Sequence, residues 1–222
     1  MATVRTIRFD DESPIRDLAT FIDRAEAIDN AAVRLVAKDT LLTVWVQVLA
    51  PRGLNDATPT VLGLRGMTLA AAAKFDVVVP IESLRARLEN AEVDGEEFVV
   101  TLPMESPSIS WKIPLPTQIG WESLGKVSSN ELESVAREGM KIVSKKTGRS
   151  SEEFLVRSVR SQVWGTTINN SLGLPAGVAL AAEALGFFGE KTFSVSSKQP
   201  WIRLSGERGE IVAKSTEIVL DK

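Results

Sequence analysis

Apolar side chains recur at three- and four-residue spacing near the start of the chain, at Ile15, Leu18, Ile22, Ala25 and Ile28. That period places them on one face of a helix predicted over 14–29. Ser13 is the expected cap, and Pro14 suits the first helical turn, where its missing N–H has no intrahelical partner to lose. Upstream, Val4, Ile7 and Phe9 mark a short strand. Downstream the period drops to two. Ala32 to Val36 and Leu41 to Leu49 read as a hairpin turning at Lys38-Asp39, with Leu42, Val44, Val46 and Val48 on one face and Trp45 and Gln47 on the other. Pro51 to Pro59 reads as a loop, and Val61 to Leu69 and Phe75 to Val79 as two more strands. A helix is predicted from Pro80 to Asn90 with Ile81, Leu84 and Leu88 inward, followed by strands over Glu97 to Leu102 and Ile109 to Leu115.

The cluster Pro114-Leu115-Pro116-Thr117-Gln118 stops any regular element and divides the chain into a first subdomain, 1–117, and a second, 118–222. The second opens on a strand, Trp121 to Val127. Ser128-Ser129-Asn130-Glu131 has the spacing of a capping box, and Leu132, Val135, Met140 and Val143 carry a helix onward. Ser150 to Glu153 repeats the capping pattern ahead of Phe154, Leu155, Val159 and Val163, an extra helix where the first half has strands. Residues 164–173 read as a loop. Ala176 to Phe188 predicts a helix that is apolar on nearly every side. Strands over Thr192 to Ser196, Trp201 to Ser205 and Glu210 to Ser215 follow, the last two joined by a turn at Gly206 to Gly209.

Pro80 and Pro175, Phe98 and Phe193, and Val100 and Val195 share one offset of 95 positions. The first helices, aligned through Leu18 and Leu132, are offset by 114, so the second copy is shorter in its middle by 19 residues (114 − 95). The expected fold is α+β: two related subdomains of antiparallel strands with amphipathic helices, the second shortened.

Composition narrows the chemistry. The 222 residues include no His and no Cys. This removes the usual neutral-pH base, the commonest metal ligand and every thiolate. Structural zinc, iron–sulfur clusters, haem thiolate and Ser/His/Asp or Cys/His catalysis are thereby excluded. Neither a G-x-G-x-x-G after a strand nor a Walker A sequence is present, which excludes the dinucleotide and P-loop readings. Carboxylate chemistry, a Lys-based mechanism or no catalysis remain, and no cofactor is expected. At 44% apolar and 25% charged residues the composition is that of a soluble globular protein. No run of apolar residues is long enough to span a bilayer, and Met1 to Phe9 leads straight into Asp10-Asp11-Glu12 without a secretory leader's apolar core. No membrane partner is expected, and the expected location is the cytoplasm.

Several of these segments together resemble a known family. Asp76-Val77-Val78-Val79-Pro80-Ile81-Glu82-Ser83-Leu84 with the strands after it, and Leu174-Pro175-Ala176 followed by Phe193 to Val195, Trp201 to Leu204 and Ile211 to Ala213, are similar to the DNA sliding clamps, the processivity factors of replicative polymerases. The strand Val4 to Phe9 and the helix from Ser13 match the opening element of a clamp domain. The resemblance covers 1–117 and part of the second half, and it implies a clamp-like topology. It also implies helices that line a ring, face phosphate and therefore carry Lys and Arg. The sequence departs from that pattern. The helix 176–188 has no basic residue, and 14–29 sets Arg16 and Arg24 against Asp17, Asp23, Glu26 and Asp29. Only 137–160 is basic: Arg137, Lys141, Lys145, Lys146, Arg149, Arg157 and Arg160 against Glu138, Glu152 and Glu153, a net of +4 (7 − 3).

Those seven basic residues are the candidate contacts to nucleic acid or phosphate; the alternative is a solvated helix face, and Trp164 is thin provision for base stacking. Leu180, Leu185, Phe187 and Phe188 are the candidate oligomer surface, with burial inside the monomer as the alternative. Closed dimers are the commonest oligomers, so a homodimer is expected. The acidic runs Asp10-Asp11-Glu12 and Asp94-Gly95-Glu96-Glu97 lack the spacing of a calcium loop and read as helix-end and turn residues. Ser144-Lys145 and Ser197-Lys198 lack the S-x-x-K spacing of serine enzymes. Trp45, Trp111, Trp121 and Trp201 read as core or face-covering aromatics. The leading expectation is a non-catalytic binding or scaffold protein with a clamp-like fold and a protein partner. Its alternatives are a carboxylate- or lysine-dependent enzyme with an apolar pocket, and a DNA-associated clamp-like factor.

Overall fold

The computed structural model describes residues 5–28, 31–51, 56–105, 111, 113–148, 152–169 and 172–214. They fall into two compact units, Met1–Val46 with Leu64–Pro114, and Gln47–Gly63 with Leu115–Lys222.

The first unit starts with β1 (Thr6–Phe9) and α1 (Ser13–Ala27), and continues with the long elements β2 (Ala32–Leu49) and β3 (Thr60–Pro80). It ends with α2 (Ile81–Glu89), β4 (Glu92–Asp94) and β5 (Glu97–Thr101). β5 lies between β1 and β4 with both pairings antiparallel, and Phe9 faces Phe98 while Ile7 faces Val100. Helix α1 buries Ile15, Leu18, Phe21, Ile22 and Ala25, and packs on α2, which buries Ile81, Leu84 and Leu88. Each of the Ile, Leu and Phe side chains taken out of water contributes roughly 1.5–3 kcal/mol before chain entropy is charged against it. Within β2 the chain reverses at Asp39, which takes a left-handed φ of 55°. Thr43 Oγ1 donates 3.2 Å to the Val36 carbonyl, a contact that extended chain could not make.

The second unit holds β6 (Glu122–Ser128), α3 (Ser129–Thr147), α4 (Glu153–Gly165), α5 (Gly177–Ala184), β7 (Thr192–Lys198), β8 (Trp201–Gly206) and β9 (Gly209–Lys214). Its sheet takes in the ends of β2 and β3 and has the order β2–β3–β9–β8–β7–β6. β6 pairs antiparallel with β7, Val127 opposite Phe193 and Gly125 opposite Val195. Helix α3 packs on both α4 and α5.

Several expectations need correction. Ser13 does not cap α1: the cap is Glu12, without a side-chain hydrogen bond, and the Ser13 N–H donates 2.6 Å to Asp11 Oδ1 instead. The apolar helix stops at Ala184 rather than running to Phe188. Trp45 is buried along with Val44 and Val46, so this stretch of β2 is covered on both faces rather than alternating. Of the strand expected over Ile109 to Leu115, Trp111 and Ile113 to Leu115 are not in a strand, and 109, 110 and 112 lie outside the described residues. The capping residue Ser150 also lies outside them. Strand β4 was not expected; it is three residues long and exposed, too short to show a period.

Candidate functional site

Helix α3 is built to start cleanly. Ser128 Oγ accepts 3.2 Å from the Glu131 N–H, satisfying one of the donors that a first turn leaves open. Leu132, Ala136 and Gly139 then recur on its buried face. Arg137, Lys141 and Lys145 recur at four-residue spacing on the outward side, all exposed. Lys145 and Lys146 lie in the last turn, where cations complement the carbonyl end of the helix. On α4, Arg157 and Arg160 are exposed, and Arg157 reaches Glu153 at only 3.8 Å. Arg149 lies outside the described residues. Among the described residues, no ion pair engages Arg137, Lys141, Lys145, Lys146 or Arg160.

The first unit uses its guanidinium groups differently. Arg85 of α2 is held by Glu26 at 2.6 Å and Asp23 at 2.8 Å, both on α1, and these hydrogen bonds raise its pKa. Arg34 is held by Asp76 at 2.6 Å and is raised by the same cause. Arg8 reaches Glu97 at 2.9 Å and Asp94 at 3.0 Å, which raise its pKa in that order, and Arg65 reaches Asp17 at 2.6 Å. These cations are committed inside the unit, and the cations of α3 and α4 are left facing solvent.

A groove of about 410 Å³ runs between α3 and the C-terminal part of α4. Val135, Glu138, Ile142 and Lys146 line it from one helical stripe, so an acid and a base both border it, and Gln162, Val163 and Thr166 line the other side. Ile142 is 44% exposed, and on the same two helices Phe154 is 79% exposed. The helices approach closely because Gly139 has no side chain where the Trp164 ring lies. Nothing in the local sequence pattern pointed to this groove. The bridge between Thr167 and Pro175 that steadies its rim falls in the stretch read as loop.

Leu185 and Phe187 are buried at 1% exposure, while Leu180 and Phe188 are half-buried, Phe188 standing edge-on to Phe193 at 6.0 Å. In the acidic runs, Asp11 holds the start of α1, and Asp94 and Glu97 hold Arg8. Among the described residues no group of three or more acids is placed to hold a metal ion. Lys198, next to Ser197, gives its ammonium to Thr117 and, at 2.6 Å, to the Ile119 carbonyl. Trp121 is half-buried beneath the Arg203 guanidinium, 4.5 Å from its ring centre. A larger pocket of about 740 Å³ in the first unit brings Arg87 together with Glu92 and Glu105 beside the exposed Met104. No helix among the described residues is long and apolar enough to cross a membrane.

Residues 2–110 match a family model described as a domain of unknown function, DUF8010, and residues 116–218 match a second, DUF8185, described in the same words. No curated protein matches the chain in sequence. Solved structures do match. A DNA polymerase sliding clamp from Caulobacter crescentus is 12% identical with a TM-score of 0.52, over 100% of this chain and 67% of that one. A pol III beta structure from the same organism gives 11% and 0.53, over 98% and 68%. A DnaN sliding clamp from Bartonella birtlesii, bound to griselimycin, gives 10% and 0.51, over 99% and 67%. The chain spans about two thirds of these clamps, 66% of a further one from C. crescentus. At such identities the likeness establishes the fold: this is a clamp-like α+β protein.

Proposed function

We propose that this chain is a non-catalytic scaffold on the clamp fold, and that it holds an anionic partner against the outward face of α3 and α4. One observation carries the reading: among the described residues Arg137, Lys141, Lys145, Lys146 and Arg160 make no ion pair, whereas Arg8, Arg34, Arg65 and Arg85 are engaged by carboxylates. In a chain of net charge −3, an uncompensated basic face is a local steering field rather than a general affinity for polyanions. The halves 1–117 and 118–222 are read as copies of one unit. In support, β1 on β5 and β6 on β7 are paired alike, Phe98 and Phe193 occupy matching registers, and each opening strand leads into a helix that packs on the one before the closing strand. Self-association as a homodimer belongs to the same proposal, with Leu180 and Phe188 the members of the α5 set that keep exposed surface.

A DNA-associated factor is the second reading, favoured by the same cations and by the fold. It is weakened by α1, where Arg16 and Arg24 meet Asp17, Asp23 and Glu26, and by α5, which has no basic residue. Fluorescence anisotropy separates the two, with the same samples weighed by sedimentation for the dimer. The wild type should bind polyglutamate in low salt, and the double variant Lys141→Glu, Lys145→Glu should not. Equal behaviour of the two proteins would refute the basic face. Tighter binding to duplex DNA, weakening steeply with salt, would promote the second reading.

A further inference from the structure

We propose that the solvent side of the sheet strands β6 to β9 binds single-stranded nucleic acid, through phosphate contacts and base stacking. The inference goes beyond the basic face of α3 and α4 and uses none of its cations. Side chains alternate along a strand, and residues paired across neighbouring strands share a side. The core side carries Phe193, Val195, Leu204 and Ile211. The opposite side receives one cation from each strand: Lys126, Lys198, Arg203 and, at the end of β9, Lys214. Glu210, opposite Ser205, is the acid in these rows, whereas Glu122 pairs with Ser197 and belongs to the other side. Four cations thus face one carboxylate in a chain of net charge −3. Lys126 and Lys214 are exposed and make no ion pair among the described residues. Lys198 gives its ammonium to the Thr117 hydroxyl and the Ile119 carbonyl, neutral groups that leave its charge uncompensated.

Two tryptophans distinguish this surface from an ordinary solvated basic face. The Arg203 guanidinium lies over the Trp121 ring, 4.5 Å from its centre, and its side chain keeps 20% of its surface in water. Trp201 stands two residues away on the same side of β8, opposite Lys198, and is half-buried like Trp121. A guanidinium layered on an indole presents its outer plane to a base, and Trp201 supplies a second plane. Val212, level with Arg203, is buried, and Ser194 and Ser196 set hydroxyls between the cations. Charge and planarity together select the occupant. An acidic peptide meets the cations and leaves the planar groups without partners. Duplex DNA keeps its base faces stacked on one another, closed to a side chain. A single strand brings phosphates and open base faces to the same surface.

The test uses the whole chain carrying Lys141→Glu and Lys145→Glu, which removes the α3 cations from the measurement. Anisotropy follows a fluorescein-labelled oligothymidylate, a duplex of the same length, and a base-free strand with the same sugar–phosphate backbone. In low salt the oligothymidylate should bind more tightly than either comparator and quench tryptophan emission. Adding Trp201→Ala should weaken oligothymidylate binding by about tenfold and leave the base-free strand unchanged. Because Trp201 is half-buried, the exposed pair Lys126→Glu, Lys214→Glu serves as a second variant, and it should weaken all three ligands. Equal affinity for the oligothymidylate and the base-free strand overturns the inference, as does a Trp201→Ala variant that binds like its parent. So does the absence of binding once the α3 cations are reversed, which would return any affinity of the wild type to the α3 face.

Discussion

At Gly139 the backbone of α3 comes so near the Trp164 indole that a Cβ there would lie 2.3 Å from ring carbon Cζ3 and 2.4 Å from Cη2. No real Cβ contact is that short, so any side chain must push the ring or the helix aside. On propensity alone Gly139→Ala should stabilise an exposed helix by about 1 kcal/mol. Here the other effect wins, because Trp164 is 2% exposed and has nowhere to swing. Overpacking of this kind costs roughly 1–3 kcal/mol. Gly139→Ala is therefore expected to lower the urea midpoint and to shift Trp emission as the ring is displaced. A midpoint that rises would show slack between α3 and α4 and would remove this account of the groove's narrowness. Neither residue was legible in this role. Gly139 fell inside a plain amphipathic run, and Trp164 stood as a lone aromatic beside a basic stretch; only the helix pairing gives them to one another.

Capping shows where elements can be read and where they cannot. Ser128 and Ser13 carry the same local signal, a hydroxyl residue just ahead of an apolar period. The Ser128 hydroxyl accepts the Glu131 N–H, whereas Ser13 is already the first residue of α1 and its N–H is taken by Asp11. The difference is one residue of phase, fixed by where β1 releases the chain, and periodicity of apolar positions is blind to it. Ser128→Ala should cost about 1 kcal/mol, and Ser13→Ala less than about 0.5 kcal/mol. Urea unfolding of the two variants against wild type measures both, and equal losses would contradict the capping geometry. The long helices α1 and α3 and the strand β7 were legible because three or more turns, or in β7 the alternation of Phe193 and Val195 with polar neighbours, repeat one signal. The strand β4 was not, since three exposed residues have no period and exist through pairing with β5. The candidate site divides similarly. Its cations could be counted in the sequence, but that Arg137, Lys141, Lys145, Lys146 and Arg160 make no ion pair among the described residues depends on which carboxylates come near, and those of α1 are brought to Arg85 by helix packing.

For the whole molecule, the likeness to sliding clamps extends over 98–100% of the chain at 10–12% identity, whereas short motifs had reached only the first half and part of the second. Strand pairing and helix order persist where individual residues do not, so topology outlasts the motifs that announce it. The charge pattern of the same molecule leads to a distinct expectation. With no His, Cys or Tyr, the side chains whose ordinary pKa falls between Glu, near about 4.3, and Lys, near about 10.4, are missing. Among the described residues, hydrogen bonds to carboxylates raise the pKa values of Arg8, Arg34 and Arg85 further above the ordinary guanidinium range. A base whose folded pKa is raised contributes its full share of stability below its unfolded value, and that share is lost only as pH climbs through the folded one. Both values lie far above neutrality, so these pairs add the same amount at every pH in the gap. The unfolding free energy should therefore stay level within about 0.5 kcal/mol from about pH 6 to 9, measured by urea denaturation at constant ionic strength. A slope approaching one proton, about 1.4 kcal/mol per pH unit, would reveal a carboxylate or lysine displaced into this range and would reopen acid–base catalysis for a chain without histidine.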